Sequence, residues 1–156
     1  MFLRIAEISE KKLIGQRMNM SYIENKIVSL WQKFMPRRKE ILNRSNTDLF
    51  SLQIYDKSFS FKQVNPHISF EKWAAVEVSD FEKVPDEMET LTLEGGKYAV
   101  FLHKGISNEA ARHTFAYIWG EWLPNSGYVI DDRPHFEILG EKYSRSNPGI
   151  FHNACM

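Results

Sequence analysis

Two glutamates are the best-placed reactive groups in this chain. Glu137 lies in His-Phe-Glu-Ile-Leu and Glu77 lies in Ala-Ala-Val-Glu-Val. Strand alternation puts Phe136 and Ile138 on one face and Val76 and Val78 on one face, so each glutamate points away from its apolar neighbours. One reading is ordinary solvent-facing alternation. The sharper reading has both carboxylates facing a cleft, Glu77 with Trp73 and Ala75 beside it, Glu137 with His135 and Leu139 beside it. Aromatic walls desolvate a carboxylate and raise its pKa unless a cation pairs with it. Such a site suits a lipophilic cation, held by charge and by cation–π contact, or general acid–base chemistry.

Other reactive signals are scarce. There is no G-x-S-x-G, P-loop or dinucleotide fingerprint. The five histidines, His67, His103, His113, His135 and His152, form neither H-x-H nor H-x-x-x-H, so neither a metal nor a cofactor is expected. The sole cysteine, Cys155, is one residue from the end, cannot form an internal disulfide and reads as a bystander. Tyr98, Tyr55 and Trp73 fall on expected strands and are candidates to line a pocket. Trp31 and Trp119 fall on helical stripes, where they serve either core or cleft.

These side chains need a scaffold, and the sequence outlines one. Ser21 followed by Glu24 reads as a capping box opening a helix. Ile23, Ile27, Leu30, Trp31 and Phe34 follow helical spacing, and Pro36 ends or kinks the helix. A second helix is expected from near Ser107, with Ala111, Phe115, Ile118, Trp119 and Trp122 as its stripe and Pro124 and Gly127 as its stop. The helix ends match: Leu30–Pro36 reads LWQKFMP, and Ile118–Pro124 reads IWGEWLP, 88 residues later. Ile27 then matches Phe115, and Ile14 matches Leu102. This points to an internal duplication. Strands are expected over Leu3–Ile8, Lys12–Met18, Leu49–Tyr55, Trp73–Val78, Glu89–Leu93, Lys97–Leu102, Tyr128–Ile130 and His135–Leu139. Glu94-Gly95-Gly96 reads as a hairpin turn, and 56–69 as the longest irregular loop. The result is an α+β fold of two β-α-β-β halves.

The chain has 156 residues, room for one ordinary domain with a real core. Hydrophobic residues make up 43%, which excludes a disordered chain. Twenty basic and twenty acidic side chains cancel, which argues against a dedicated nucleic-acid binder. The balance is segregated, about +6 over residues 1–45 and about −6 over 71–94. Arg37-Arg38-Lys39 reads as a solvated face or a phosphate contact. No apolar run reaches membrane-spanning length, and the N-terminus lacks the apolar stretch of a signal peptide, so no membrane partner and a cytoplasmic location are expected.

The second half resembles the GyrI-like (gyrase-inhibitor-like) effector-binding domain. The residues carrying this are Leu93–Phe101 (LEGGKYAVF), His103-Lys104-Gly105, Ile118-Trp119 through Trp122-Leu123-Pro124, Ser126-Gly127-Tyr128, and Asp132-Arg133-Pro134-x-Phe136-Glu137. LWQKFMPR, SLQIYD and FEKWAAVEV extend the resemblance into the first half. It implies one domain over 1–156, with halves of about 1–80 and 86–143, an antiparallel sheet with two helices on one side, and a ligand cleft between the halves. It also implies a sensor of the transcription-regulator type, binding amphipathic or cationic ligands, with Glu137 as its cleft glutamate. Trp73, Glu77, Tyr98 and Trp119 complete the candidate ligand-binding set, and no catalytic residue is assigned. Two alternatives stand beside this: a hydrolase using Glu137 with Tyr98 as proton partner, and a protein-interaction module such as a gyrase modulator. Direct nucleic-acid contact is not expected. Residues 144–156 depart from the family pattern and read as an atypical tail, with the closing strand missing or replaced.

Overall fold

The computed structural model describes residues 2–56, 65–103, 108–140 and 149–154. Eight strands, β1 (Phe2–Ile8), β2 (Lys11–Met20), β3 (Leu49–Ile54), β4 (Phe70–Val78), β5 (Glu89–Leu93), β6 (Gly96–His103), β7 (His135–Leu139) and β8 (Gly149–Ala154), form one antiparallel sheet. Their order is β1-β6-β8-β7-β3-β4-β2-β5. Exchanging β1–β4 for β5–β8 returns the same order reversed, as two duplicated β-α-β-β halves require. The halves meet at β3·β7, where Ser51 lies opposite Glu137. Each half lends its first strand to the other: β1 pairs with β6 and β5 with β2.

This exchange corrects the expected hairpin. Strands β5 and β6 are joined through Glu94 and Gly95, yet they stand near opposite ends of the strand order. Two residues reach only about 10 Å, whereas six strand spacings laid flat span about 29 Å. The sheet must therefore curl until its ends approach. The short connections of the two halves then cross at close range. A Cβ on Gly95 would lie 2.9 Å from the Glu10 amide nitrogen and 3.0 Å from the Ile8 carbonyl oxygen, so only glycine fits. The Tyr98 hydroxyl donates to the Glu94 carbonyl at 2.6 Å and fastens the crossing.

Curling gives the two faces different fates. The inner face closes on itself around Leu13, Phe50, Leu52, Trp73, Tyr98 and Phe136. The outer face is covered by helices. Helix α1 (Ile27–Phe34) buries Leu30 and Phe34 against Ile14, Ala74 and Val76 of β2 and β4. Ser21 does not open this helix. Its hydroxyl accepts from the Glu24 amide at 3.0 Å and closes a local turn, and Asn25 Oδ1 then takes the Ile27 amide. Pro36 sits in the first turn of a 3-10 segment, Met35–Glu40, so the α-helix ends by tightening. Helix α2 (Asn108–Tyr117) runs into a π turn, Ile118–Trp122, and a short α3 (Leu123–Ser126) that Gly127 ends in the left-handed conformation at φ 78°. Ile118, Trp119 and Trp122 pack toward Ala99 and Phe101 of β6.

Three expectations change. Tyr128–Ile130 is not a strand; only Ile130 makes an isolated bridge. The closing strand, expected to be missing or replaced, is present as β8, formed by Gly149–Ala154 of the atypical tail and inserted between β6 and β7. The β4 strand begins at Phe70 rather than Trp73, so Lys72 belongs to the sheet. Most of the 56–69 loop, the expected helix start at Ser107 and Cys155 lie outside the described residues. Substituting Gly95→Ala should destabilise the protein by about 1–3 kcal/mol through overpacking at the crossing. A urea midpoint lowered at unchanged slope would show it.

Candidate functional site

Strand register decides what can meet. One row across the outer face runs Gln16, Ala74, Ser51, Glu137. The next row runs Met18, Lys72, Gln53, His135. Buried polar side chains gather here. Among the described residues they are Gln16, Ser21, Ser51, Lys72 and His135, and all but Ser21 come from these two rows. Polar groups concentrated on one buried strand face, flanked by the two helices, make these rows the candidate site.

Glu137 is partly buried, and burial raises its pKa, while the nearby Lys72 ammonium works to lower it. Lys72 is only 5% exposed, and its pKa falls to about 8 because burial outweighs the attraction of Glu137. His135 falls to about 4 through burial and is neutral at pH 7. Both amide atoms of Gln16, and Oε1 of Gln53, are buried without a hydrogen-bond partner among the described residues. Such groups cost about 1–3 kcal/mol each when left unpaired.

Aromatic rings wall one end of this floor. Trp119 stacks on His135 with centroids 5.8 Å apart, and Tyr55 meets His135 at 5.5 Å. Phe70 lies 5.0 Å from Tyr55 and 5.1 Å from Tyr22. The Tyr22 and Tyr55 hydroxyls sit 3.0 Å apart in a hydrogen bond, and burial pushes both phenol pKa values up. Trp119 belongs to the π turn, a helical irregularity frequent at functional sites.

The structure divides the sequence-derived site residues between the two faces. Glu137 and Trp119 share the outer side. Trp73 and Tyr98 lie in the inner core, because odd residues of β4 and even residues of β6 point inward. The Trp73 indole donates to Glu71 at 3.2 Å, and the Arg133 guanidinium sits 4.5 Å over the Tyr98 ring. Glu77 is also on the inner side, held by Lys11 at 3.5 Å and by Asn46 at 3.1 Å. Two strand glutamates therefore do not share one cleft. Glu137 and Tyr98 occupy opposite sides of the sheet, so they cannot exchange a proton directly. Sequence reasoning missed Lys72 and Gln53. Extending the β4 alternation back to Phe70 would have placed Lys72 on the face of Ala74; no local signal places Gln53 beside it.

A family model described as a GyrI-like small molecule binding domain matches residues 1–149. The chain belongs to the GyrI-like family. The transcriptional regulator BrlR of Pseudomonas aeruginosa is 27% identical over 143 residues, covering 92% of this chain and 50% of BrlR. The chain thus spans about half the length of that relative. Among solved structures, SAV2435 bound to tetraphenylphosphonium superposes with a TM-score of 0.73 at 14% identity, covering 100% of this chain and 94% of SAV2435. The EcmrR C-terminal domain gives 0.67 at 15% identity, covering 99% and 98%. At these identities the likeness is one of fold. This GyrI-like chain has no helix among the described residues long and apolar enough to cross a membrane.

Buried His135 gives the GyrI-like site a pH signature. Its folded pKa lies below its unfolded value of 6.5, so the unfolded chain binds the extra proton first. Stability should fall as pH drops from about 6.5 to about 4, by up to about 3 kcal/mol from this group. His135→Asn should flatten the thermal midpoint over that window; an unchanged slope would reject the assignment.

Proposed function

We propose that this domain binds an amphipathic cation on the outer face of the sheet, with Glu137 as its charge partner, as an effector-binding module of the transcription-regulator type. One observation carries the reading: a partly buried carboxylate at the junction of the two halves, beside stacked aromatic rings, on the face that gathers the buried polar side chains. The Gln16 amide and the Gln53 Oε1, unpaired among the described residues, support a ligand with hydrogen-bonding groups as well as charge. Trp119, Tyr55 and Tyr22 offer ring faces to its apolar body. The family match and the ligand named for SAV2435 support the same class. On this reading the module works in the cytoplasm, and any effect on transcription passes through a DNA-contacting partner, either another domain or another protein.

Lys72 sets the conditions. Its positive charge opposes a bound cation, and it is lost as pH rises through about 8. Tetraphenylphosphonium affinity, followed by tryptophan quenching, should rise between pH 7 and pH 9. It should fall in acid, where Glu137 takes its proton above the ordinary carboxylate range. Glu137→Gln should weaken binding and Lys72→Met should tighten it, each by about tenfold, the ~1.4 kcal/mol scale of one partly screened charge pair. Equal affinities in all three proteins would refute the electrostatic role of Glu137.

A further inference from the structure

A cavity of about 460 Å³ opens on the outer face at the opposite end from the aromatic wall. Leu49, Val76 and Leu139 form its apolar side, one row beyond Ser51 and Glu137. Arg38, Arg44 and Asn46 bring polar groups to it. Arg38 is positioned by its own chain: its Nη1 donates to the Met35 carbonyl at 2.5 Å, at the junction of α1 and the 3-10 segment.

Three arginines elsewhere are held by carboxylates, whereas Arg4, on the edge strand β1 and outside this cavity's lining, has no ion pair among the described residues. Arg17 is tied to Glu71 and Glu89, Arg37 to Glu40 and Glu87, and Arg133 to Asp131. Arg38 and Arg44 both line the cavity, and neither is tied to a carboxylate among the described residues. Of the nearby acids, Glu77 is bound by Lys11 and Asn46 and Glu137 lies in the next row beside Lys72; Asp48 reaches the cavity rim, its Oδ1 3.8 Å from where a Cβ on Gly140 would lie, and makes no ion pair with Arg38 or Arg44 among the described residues. Two guanidinium groups at the mouth of an apolar recess have the chemistry to hold a carboxylate head with its hydrocarbon body inside.

We propose that this cavity is a second ligand site, selective for an amphipathic carboxylate, with Arg38 and Arg44 as the anion clamp and Leu49, Val76 and Leu139 as the apolar seat. It is separate from the cation site at Glu137 and opposite in charge preference. The pair of sites would let one domain respond to ligands of both signs.

Decanoate, titrated calorimetrically against the full chain, tests this, with decanol as its uncharged counterpart. Saturable decanoate binding is expected, at least tenfold tighter than decanol. Arg38→Met with Arg44→Met should weaken decanoate at least tenfold and leave decanol unchanged. Lys33→Met, which removes an exposed cation that is paired with Glu87 and does not line the cavity, should stay within twofold of wild type. Arg44→Met alone alters an exposed side chain and guards against misfolding of the double variant. It should weaken decanoate at least threefold with an unchanged thermal midpoint. Equal binding of decanoate and decanol, wild-type decanoate affinity in either arginine variant, or no saturable binding would overturn the proposal.

Discussion

Two short connections govern this protein. Each half passes from its first strand to its second through two residues, and in neither case do those strands pair with each other. Chain reach then forces the sheet to curl, and the halves to exchange their first strands. The crossing leaves no room for a side chain at Gly95. Everything else follows from the curl. The inner face seals itself with residues from both halves, and the outer face is left for two helices to cover. Because each helix sits over its own half, the junction between halves receives the least apolar cover.

The junction is where the polar groups are. Glu137, Ser51, Lys72, Gln53 and His135 come from three adjacent strands and share two rows. Burial acts on them in opposite directions: it favours the neutral acid at Glu137, the neutral amine at Lys72 and the neutral imidazole at His135. Mutual attraction of the first two restrains the shift. On the proposed reading, a cation entering this site would meet one attracting and one opposing charge, and protonation as well as shape would set its affinity. Fully apolar packing would make the junction more stable and would remove the site.

Much of the fold was legible in the sequence. Period-two alternation located seven of the eight strands, and the paired LWQKFMP and IWGEWLP endings located both helices and the repeat. The misreadings have physical causes. A Gly-Gly turn between two strands looks like a hairpin whether or not the strands pair, because turn chemistry reports local backbone needs and not partners. Ser21 supplied a genuine cap, but to a turn that stops short of the helix. The Gly149–Ala154 strand lacks clear alternation, and its place between β6 and β7 supplies the pairing that its sequence does not advertise.

What the sequence determined by itself is the class of the fold and the duplication, because each is written in local pattern; Glu137 it offered as a candidate, through a family resemblance rather than through pattern alone. Which face each candidate occupies was a tertiary matter. Trp73, Tyr98 and Glu77 point to the same side as one another and away from Glu137, since register across the five strands from β4 to β6, set by long-range pairing, fixes the relative phase of alternating side chains. Lys72 became part of the site only when β3 brought Gln53 between it and His135. The cavity bearing Arg38 and Arg44 exists only because α1 tightens after Phe34 over the start of β3, joining residues that no spacing rule connects.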